Sequence, residues 1–572
     1  MVYHGILNID PCFSWYFKRS LVGIRSRSKL FQPPPPSTPY AHPFSISNAP
    51  SILSPNTVSP IFLSILGNPR KKGLSDCSLK LFDDCNSSVS IKILSKAQKP
   101  SLHFNKLSLL NGLHHTSIPV INGIVAGLAE VEGRYIKRKD SMGTPLAWAA
   151  GGGHEEVVGE LLGRGDIDPD RPGADGETPL MRAALNGHEG VVKMLLGRDD
   201  IDPNKSDEGG RTPLLRAAYN GHEGVVNMLL RRDDIDPDKS NEYGETPLSL
   251  AAYDGYEGVV KLLLGQDDVN PNQTDVRGQT PLCWAAHYGY EGIVKMLLGR
   301  DDIKPDTLNR YGHTPLWRAA CNGNEGVVKL LLRRDEVSPD KPSNDGQTPL
   351  SVAAYNGHEG VVKILLGRDD VNSNNLDEGG RMALLRATRT RHEGVVKVLL
   401  GQDDVNPNKP DENGDTPLLW AVENGHEALV KLLLGKDEVD PDKPNKGGQT
   451  PLLLAAYIGH EGVVEMLLGR ADLNPNKPDK DGETPLLLAA RNGREAVVKL
   501  LLERGDVNTD QPSEDGQTPL LQAARNGHER VVKMLLGRND IDPNKPDSLG
   551  RTPLWWATEN GHAGVIALLQ PA

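Results

Sequence analysis

Histidine is the residue type in this chain that most readily suggests chemistry. Sixteen histidines occur in the 572 residues, and nine of them occupy the same place in a recurring pattern, 34 residues or a multiple of 34 apart. Each of the nine therefore lies in a different structural unit, so that they cannot converge on one metal ion. We interpret these residues as structural: His154, His188, His222, His358, His392, His426, His460, His528 and His562.

Two acidic segments carry carboxylates at the spacing of a calcium-binding loop. Asp166, Asp168, Asp170 and Glu177 match positions 1, 3, 5 and 12 of the EF-hand pattern. Position 6 of that loop requires glycine for a sharp turn, but Arg171 stands there. We therefore interpret the segment as a solvated acidic loop and predict no metal and no cofactor. The same spacing and the same departure occur in Asp234, Asp236, Asp238, Lys239 and Glu245.

Motifs typical of catalysis do not stand out from chance. We find no nucleophile paired with a base, no phosphate-binding glycine motif and no Cys/His zinc spacing. Gly151, Gly152 and Gly153 form a variant of a helix end rather than a nucleotide loop. We therefore predict that the protein is not an enzyme.

The nine histidines belong to a 34-residue repeat. Residues 178–211, TPLMRAALNGHEGVVKMLLGRDDIDPNKSDEGGR, represent it. A fixed period of this size is typical of a stack of small supersecondary units. The aligned threonines are Thr144, Thr178, Thr212, Thr246, Thr280, Thr314, Thr348, Thr416, Thr450, Thr484, Thr518 and Thr552, and Met382 takes the same place in the eighth unit.

The sequence of each unit predicts two helices followed by a polar finger. Thr178 is suited to cap a first helix, Pro179 to begin it and Gly187 to end it. A second helix follows, with an apolar face of valine and leucine, and Gly197 ends it. Residues 198–211 are polar and contain proline and glycine, which predicts an extended, hairpin-like finger.

The pattern TPLxxAAxxGHxxVVxxLL resembles the ankyrin repeat over residues 141–572. A tetratricopeptide repeat has a similar period, but its tryptophan, Gly-Tyr and Ala-Phe positions are missing. The resemblance implies an all-α repeat solenoid: about 13 helix-turn-helix units with β-hairpin fingers, whose first helices and fingers line a concave groove. It also implies that the recurring histidine bonds backbone groups. The usual histidine after TPL is replaced, and the finger is longer than the family's.

Large side chains vary on one face of the first helix. The fourth, seventh and eighth residues after each threonine share one side of that helix. Tryptophan, tyrosine and arginine, which are enriched at binding hot spots, recur there while the second helix barely changes. An alternative is that the tryptophans pack between layers. The candidate groove residues are Trp148, Arg182, Arg216, Tyr219, Tyr253, Trp284, His287, Arg318, Tyr355, Arg386, Arg389, Trp420, Tyr457, Arg491, Arg525 and Trp556.

Charge and composition divide the chain. The net charge of −12 combines +9 over residues 1–115 with −21 over the remainder, so the array lacks the basic face that nucleic-acid binding needs. Residues 1–115 contain a polyproline run and no period, which predicts a low-complexity, disordered extension. Residues 116–140 resemble a partial capping repeat.

No apolar run in the sequence is long enough for a membrane span. The five cysteines form no disulfide framework. Both features are typical of an intracellular protein, and we expect the protein in the cytoplasm or the nucleus.

We interpret the chain as a protein-interaction scaffold that binds a partner protein through the groove. The arginines favour a partner with acidic or phosphorylated segments. Two alternatives stay open: the recognition array of an NTPase-type signalling protein, and a purely structural spacer. We also expect a weak point near residues 380–392, where Met382 replaces the capping threonine and Arg391 replaces the helix-ending glycine.

Overall fold

The computed structural model describes residues 144–173 and 175–570 in full, and it describes the backbone of three strands nearer the N-terminus. The chain divides into two units, Met1–Lys106 and Leu107–Ala572. Within residues 1–115, for which we predicted disorder, the strands β1 (Phe62–Leu66), β2 (Asp76–Phe82) and β3 (Ser88–Leu94) pair antiparallel in that order. The remaining residues of that segment and the predicted partial repeat at 116–140 lie outside the described residues.

The described part of the second unit contains 26 helices in 13 pairs, which confirms the predicted all-α solenoid. The first helices of the pairs are α1 (Pro145–Gly151), α3 (Pro179–Asn186), α5 (Pro213–Tyr219), α7 (Pro247–Asp254), α9 (Pro281–Tyr288), α11 (Pro315–Cys321), α13 (Pro349–Asn356), α15 (Ala383–Arg389), α17 (Pro417–Glu423), α19 (Pro451–Ile458), α21 (Pro485–Arg491), α23 (Pro519–Arg525) and α25 (Pro553–Glu559).

Each first helix is followed within a few residues by its second helix. The second helices are α2 (Glu155–Leu162), α4 (Glu189–Leu196), α6 (Glu223–Leu229), α8 (Glu257–Leu264), α10 (Glu291–Leu298), α12 (Glu325–Leu331), α14 (Glu359–Leu366), α16 (Glu393–Leu399), α18 (Glu427–Leu434), α20 (Glu461–Leu468), α22 (Glu495–Glu503), α24 (Glu529–Leu536) and α26 (Ala563–Leu569). Among the residues described, no helix combines the length and the apolar character that a membrane span requires.

The first helices begin and end as the repeat predicts. Thr178 Oγ1 accepts a hydrogen bond from the Met181 N–H (3.2 Å), and Pro179 occupies the first turn, where no N–H is needed. Gly187 ends α3 with a φ of 73°, in the left-handed region that favours glycine. The chain then reverses into α4 within two residues. These local interactions determine where the two helices of a unit begin and end, independently of packing between units.

The stack is held by one continuous apolar core. The two alanines of α3, Ala183 and Ala184, are fully buried and allow close contact with α1 and α5. The valines and leucines of α4 are buried on the side that faces α3. The core cluster contains residues from every one of the 13 units. Because each helix is only seven to nine residues long, its stability depends on these neighbours.

The fingers are stacked turns rather than paired strands. Asp207 Oδ1 accepts hydrogen bonds from the N–H groups of Gly209 (3.0 Å) and Arg211 (2.9 Å). The Asp207 N–H in turn donates to the Arg211 carbonyl (3.1 Å), which closes a hairpin-like tip. Successive tips are joined by single bonds such as Glu242 N–H to the Gly209 carbonyl (3.0 Å). Between residues 175 and 570 no residue has strand conformation, so the predicted hairpin is present only as its turn.

An arginine after the second helix ties most units to the preceding one. Arg232 Nη1 donates to the carbonyl of Leu196 (3.2 Å), at the end of the preceding unit's second helix. Its Nε and Nη2 bind the two oxygens of Asp234 at 2.9 and 2.7 Å, and this ion pair lowers the pKa of Asp234. Carbonyls at helix ends lack partners within the helix, so the arginine satisfies a group that needs a donor. The sequence analysis did not identify this role.

The eighth unit departs from the pattern where we expected it to. Met382 offers no side-chain hydrogen bond to the start of α15. Arg391 has a φ of 64° and is the one described residue other than glycine with a positive φ. In seven of the other units a Cβ at this place would lie against the ring of the next histidine. Here the next histidine is His426, whose Nδ1 is buried without a hydrogen-bond partner. Burial and, second to it, the charge of Arg391 lower the pKa of His426.

Replacing Arg391 with glycine should stabilise the array by about 1 kcal/mol, because glycine adopts positive φ without steric cost. We expect slower hydrogen exchange for amides of α15 and α16 in the variant. Arg389→Gly, at the last residue of α15, is the control and should destabilise. The expectation of a weak point would be wrong if the Arg391→Gly protein exchanged no more slowly than the wild type.

Candidate partner-binding surface

The sixteen candidate residues all lie on first helices but differ in exposure. We call the surface formed by the first helices and the finger tips the first-helix face. Residues seven places after the threonine are the more exposed: Tyr219 (38%), Tyr355 (47%) and Tyr457 (50%) present the largest aromatic area. The other exposed candidates are Arg389 and Arg525; the half-buried ones are Trp148, Arg182, Arg216, Tyr253, Trp284, His287, Trp420 and Arg491; the buried ones are Arg318, Arg386 and Trp556.

The structure brings candidates together across the boundary between units. The seventh residue after one threonine lies beside the fourth residue after the next. Arg389 stacks over the Trp420 ring at 4.1 Å, and Arg525 stacks over the Trp556 ring at 4.2 Å. Such cation–π contacts are worth about 0.5–1 kcal/mol at exposed sites. The sequence predicted a shared side of one helix, but it did not predict these pairs between units.

An aromatic cluster occupies the same boundary between the fourth and fifth units. The Tyr253 ring lies edge-on to Trp284 (4.9 Å between centroids) and to Tyr288 (5.1 Å). Trp284 and Tyr288 are nearly parallel, with their centroids 6.3 Å apart. His287 is edge-on to Tyr288, and its Nδ1 lies 2.9 Å from the Asn322 amide nitrogen. We name Tyr253, Trp284 and Tyr288 the aromatic cluster; Tyr288 remains 40% exposed.

Several candidate arginines are already paired with carboxylates of the chain. Arg386 forms an ion pair with Asp377, and both side chains are nearly inaccessible to solvent. Burial raises the pKa of the Asp377 carboxyl, but the Arg381 N–H and the Arg386 guanidinium outweigh it, so that the pKa lies below its ordinary value. These guanidinium groups therefore stabilise fingers instead of facing a partner. The same holds for Arg182 with Asp175, Arg216 with Glu177 and Asp207, and Arg491 with Glu483.

A tryptophan at the fourth position after the threonine has a similar structural role. The Trp556 indole N–H donates to Asp547 Oδ2 at 3.1 Å. Burial raises the pKa of Asp547, but the Arg551 N–H and the Trp556 N–H together outweigh it and lower that pKa. Trp556 is 9% exposed and lies between Asp547 of its own finger and the Arg525 guanidinium of the preceding unit. At Arg216, Arg386 and Trp556 the fourth residue thus donates to the aspartate that shapes its finger.

Finger tips add apolar residues that the sequence analysis missed. Thirteen large apolar side chains are exposed in the part of the array that the structure describes, and eleven of them lie on first helices or fingers. The signal was present in the sequence, since these positions vary between units while their glycine neighbours do not. The missed residues are Tyr243, Val276, Tyr288, Leu308, Tyr311, Leu376, Leu549 and Trp555.

The recurring histidines and the acidic segments use their polar atoms within the stack. His188 Nε2 lies 3.1 Å from the Gly151 carbonyl of the preceding unit, as the resemblance implied. Asp170 is 8% exposed and its Oδ2 accepts the Asp202 N–H at 2.7 Å, so the interpretation of a solvated loop was wrong for this residue. Within residues 144–173 and 175–570, no three potential ligands come together as a metal site would need.

The family model described as "Ankyrin repeats (3 copies)" matches the chain in overlapping segments that together cover residues 117–572. This range includes all 13 helix pairs and the residues that precede them. The chain therefore belongs to the ankyrin-repeat family, whose members are generally protein–protein interaction modules. No curated protein sequence matches the chain at a significant level.

Proposed function

We propose that this protein is a non-catalytic scaffold that binds a partner protein through the first-helix face. The observation that supports the proposal most strongly is the distribution of exposed apolar side chains. Eleven of the thirteen among the described residues lie on this face, and only Tyr256 and Leu568 lie elsewhere. Six of the eleven are tyrosines and one is a tryptophan, the residue types most often found at binding hot spots.

The structure changes which residues we expect to contact the partner. Arg318 and Arg386 are buried, and Trp556 is nearly so, and we therefore assign them to positioning. Tyr219, Tyr355 and Tyr457 are exposed, and the Tyr355 ring also lies 5.6 Å from the Arg386 guanidinium. We infer that these tyrosines and the aromatic cluster supply the apolar contacts.

The hypothesis of an acidic or phosphorylated partner now depends on Arg389 and Arg525. Both are exposed, and neither has a carboxylate within salt-bridge distance among the described residues. Each guanidinium rests on a tryptophan, which fixes its orientation while leaving its edge open to solvent. Planar guanidinium groups held in this way suit bidentate binding of a carboxylate or a phosphate.

A cross-linked pull-down from extract of the source cells tests the proposal. The bait is the full chain, compared with the variant Tyr219→Ala/Tyr355→Ala/Tyr457→Ala. The matched control is Lys193→Ala/Lys329→Ala/Lys431→Ala, which changes three exposed side chains on second helices. We expect a partner that is recovered with the wild type and the lysine variant, and at least tenfold less with the tyrosine variant. Equal recovery by all three proteins would contradict the assignment of the face.

A further inference from the structure

One position of each finger lies eight residues before the capping threonine, and from the second unit onward it is always Asp or Asn. Where it is asparagine, both amide atoms join the finger to the next one. Asn204 Oδ1 accepts the Asp236 N–H (2.8 Å), and its Nδ2 donates to the Asp234 carbonyl (2.5 Å). Asn272, Asn374, Asn408 and Asn476 form the same two bonds.

Where the position is aspartate, only one of the two bonds is present. Asp170, Asp238, Asp340 and Asp442, which we call the ladder aspartates, accept the corresponding N–H at Oδ2, at distances of 2.6–2.8 Å. The other oxygen, Oδ1, is buried in all four and has no hydrogen-bond partner. In the aspartates, Oδ2 accepts the N–H that the asparagine Oδ1 accepts in the other units. The second aspartate oxygen, Oδ1, therefore stands where asparagine has its NH2 group.

The carboxylate form is therefore mismatched with its surroundings. The asparagine nitrogen donates to a backbone carbonyl 30 residues on, and an ionised carboxyl can only accept. Two acceptors that face each other in a buried place destabilise the fold relative to a satisfied donor–acceptor pair. A proton on Oδ1 would turn that atom into a donor and would complete the bond that asparagine makes.

We propose that the ladder aspartates are proton-binding sites: a proton on Oδ1 supplies the missing hydrogen bond to the next finger and strengthens the finger stack in mildly acidic solution. The proposal concerns the stability of the array and does not depend on the proposed partner surface. The fingers form one edge of the first-helix face, so that protonation would stiffen that edge.

The electrostatic surroundings agree with the proposal. Burial is the largest influence on each of the four carboxyls and raises the pKa, while the backbone N–H at Oδ2 opposes it. The charged and polar groups that influence each ladder aspartate come from the same finger and the next one. Asp170 is influenced by Asp168, Asp202 and Lys205, and Asp238 by Asp236 and Asp268. Asp340 is influenced by Asp370 and the Asn375 amide, and Asp442 by Asp440, Asp472 and Lys477.

Two other aspartates at the same position differ and are outside the proposal. In Asp306 and Asp510, Oδ2 is bound by the ammonium group of Lys341 and Lys545 respectively, each at 2.9 Å. The lysine compensates the carboxylate charge directly, so these two sites have less need of a proton.

The sign of the pH effect follows from linkage. A carboxyl whose pKa is higher in the folded than in the unfolded state stabilises the fold when protonated, and that stability is lost as the pH rises through the folded-state pKa. Asp377 and Asp547 have lowered pKa values and act in the opposite direction. The stability of the wild type alone therefore combines both effects, and the ladder must be isolated by comparison with a variant.

The test compares the full chain with the fourfold variant Asp170→Asn/Asp238→Asn/Asp340→Asn/Asp442→Asn. Asparagine already occupies the same position in other units, so the variant is expected to fold. The control is Asp199→Asn/Asp233→Asn/Asp335→Asn/Asp369→Asn, which removes the same charge from exposed finger residues. Urea unfolding is followed by circular dichroism between neutral pH and about pH 4.5. Infrared spectroscopy of the same samples detects the C=O stretch of protonated carboxyls.

We expect the ladder variant to have a clearly higher urea midpoint than the wild type at neutral pH, and the difference to shrink as the pH falls. The urea midpoint of the control variant should differ only slightly from that of the wild type, and this difference should not shrink as the pH falls. The wild type and the control should gain a protonated-carboxyl band on acidification while still folded, and the ladder variant should gain less. A difference in midpoint that is independent of pH, or a ladder variant that is less stable at neutral pH, would overturn the proposal.

Discussion

Replacing Arg386 with alanine will lower the free energy of unfolding of the surrounding units by about 3 kcal/mol, the cost typical of removing one partner of a buried ion pair. The Arg386 and Asp377 side chains are 8% and 1% exposed, so the carboxylate would be left without its principal counter-charge. Arg381 remains 3.1 Å from Asp377 and limits the loss. Because repeat arrays unfold in segments, hydrogen exchange of α13, α15 and α17 is the appropriate measurement.

Arg389→Ala is the matched control, since both arginines lie on α15. Arg389 is exposed and contacts only the Trp420 ring, so we expect a loss of at most about 1 kcal/mol. The loss caused by Arg386→Ala should also shrink in acid. Asp377 has a lowered folded-state pKa, so the stability that it contributes is lost as the pH falls through that pKa, and a protonated carboxyl no longer needs the guanidinium. Equal effects of the two substitutions would contradict the structural role of Arg386.

Reversing the charge of the two exposed arginines, in Arg389→Glu/Arg525→Glu, will weaken binding of an acidic or phosphorylated partner by about a hundredfold. The two guanidinium groups are the exposed candidate arginines for which the described residues offer no carboxylate within salt-bridge distance, and each is oriented by a tryptophan ring. The measurement is a titration with the partner recovered in the pull-down, at two salt concentrations. The substitutions should also reduce or reverse the loss of affinity with added salt, because two attractive charges are replaced by two repulsive ones.

The control for this reversal is Lys397→Glu/Lys533→Glu, which places the same charges on the second helices α16 and α24 of the same units. It should change the affinity only slightly, through the net charge. If both variants lost affinity equally, stronger general repulsion between the acidic array and the acidic partner would explain the loss. If neither lost affinity, the partner would not be acidic, and recognition would depend on the tyrosines.

Local structure could be predicted from the sequence because its causes are local. Thr178, Pro179 and Gly187 determine where α3 begins and ends through bonds within a few residues, and the period repeats them. The strain at Arg391 could be predicted for the same reason, because one side chain replaces glycine at a position that needs positive φ. The influence of the Arg391 charge on the pKa of His426 could not be predicted, since it acts between two units.

The candidate surface could be predicted only in outline. Residue type and helical spacing indicated which face of the first helix varies, and the structure places those residues on one surface. Residue type did not reveal that Arg386 is used by Asp377, nine residues earlier, because a finger turn brings the two together. Nor did it reveal that Arg389 lies on Trp420, since that contact depends on the offset between neighbouring units.

The acidic fingers also show that contacts between units could not be predicted from the sequence. The spacing of Asp166, Asp168 and Asp170 resembles a calcium loop, and composition favoured a solvated segment. In the structure Asp170 is buried against the following finger, a contact over 32 residues that only the stacking of units creates. A repeat sequence shows which residues recur, but the partner of each lies one period away.

The central claim, that a partner protein binds the first-helix face, can be tested by site-specific photocross-linking. A photoreactive side chain is introduced in place of Tyr355 on α13 or, in a second protein, in place of Lys329 on α12. Both positions are exposed and lie in adjoining units. The account predicts that the Tyr355 position cross-links to the partner in cell extract and that the Lys329 position does not. Cross-linking from Lys329 but not from Tyr355 would contradict it.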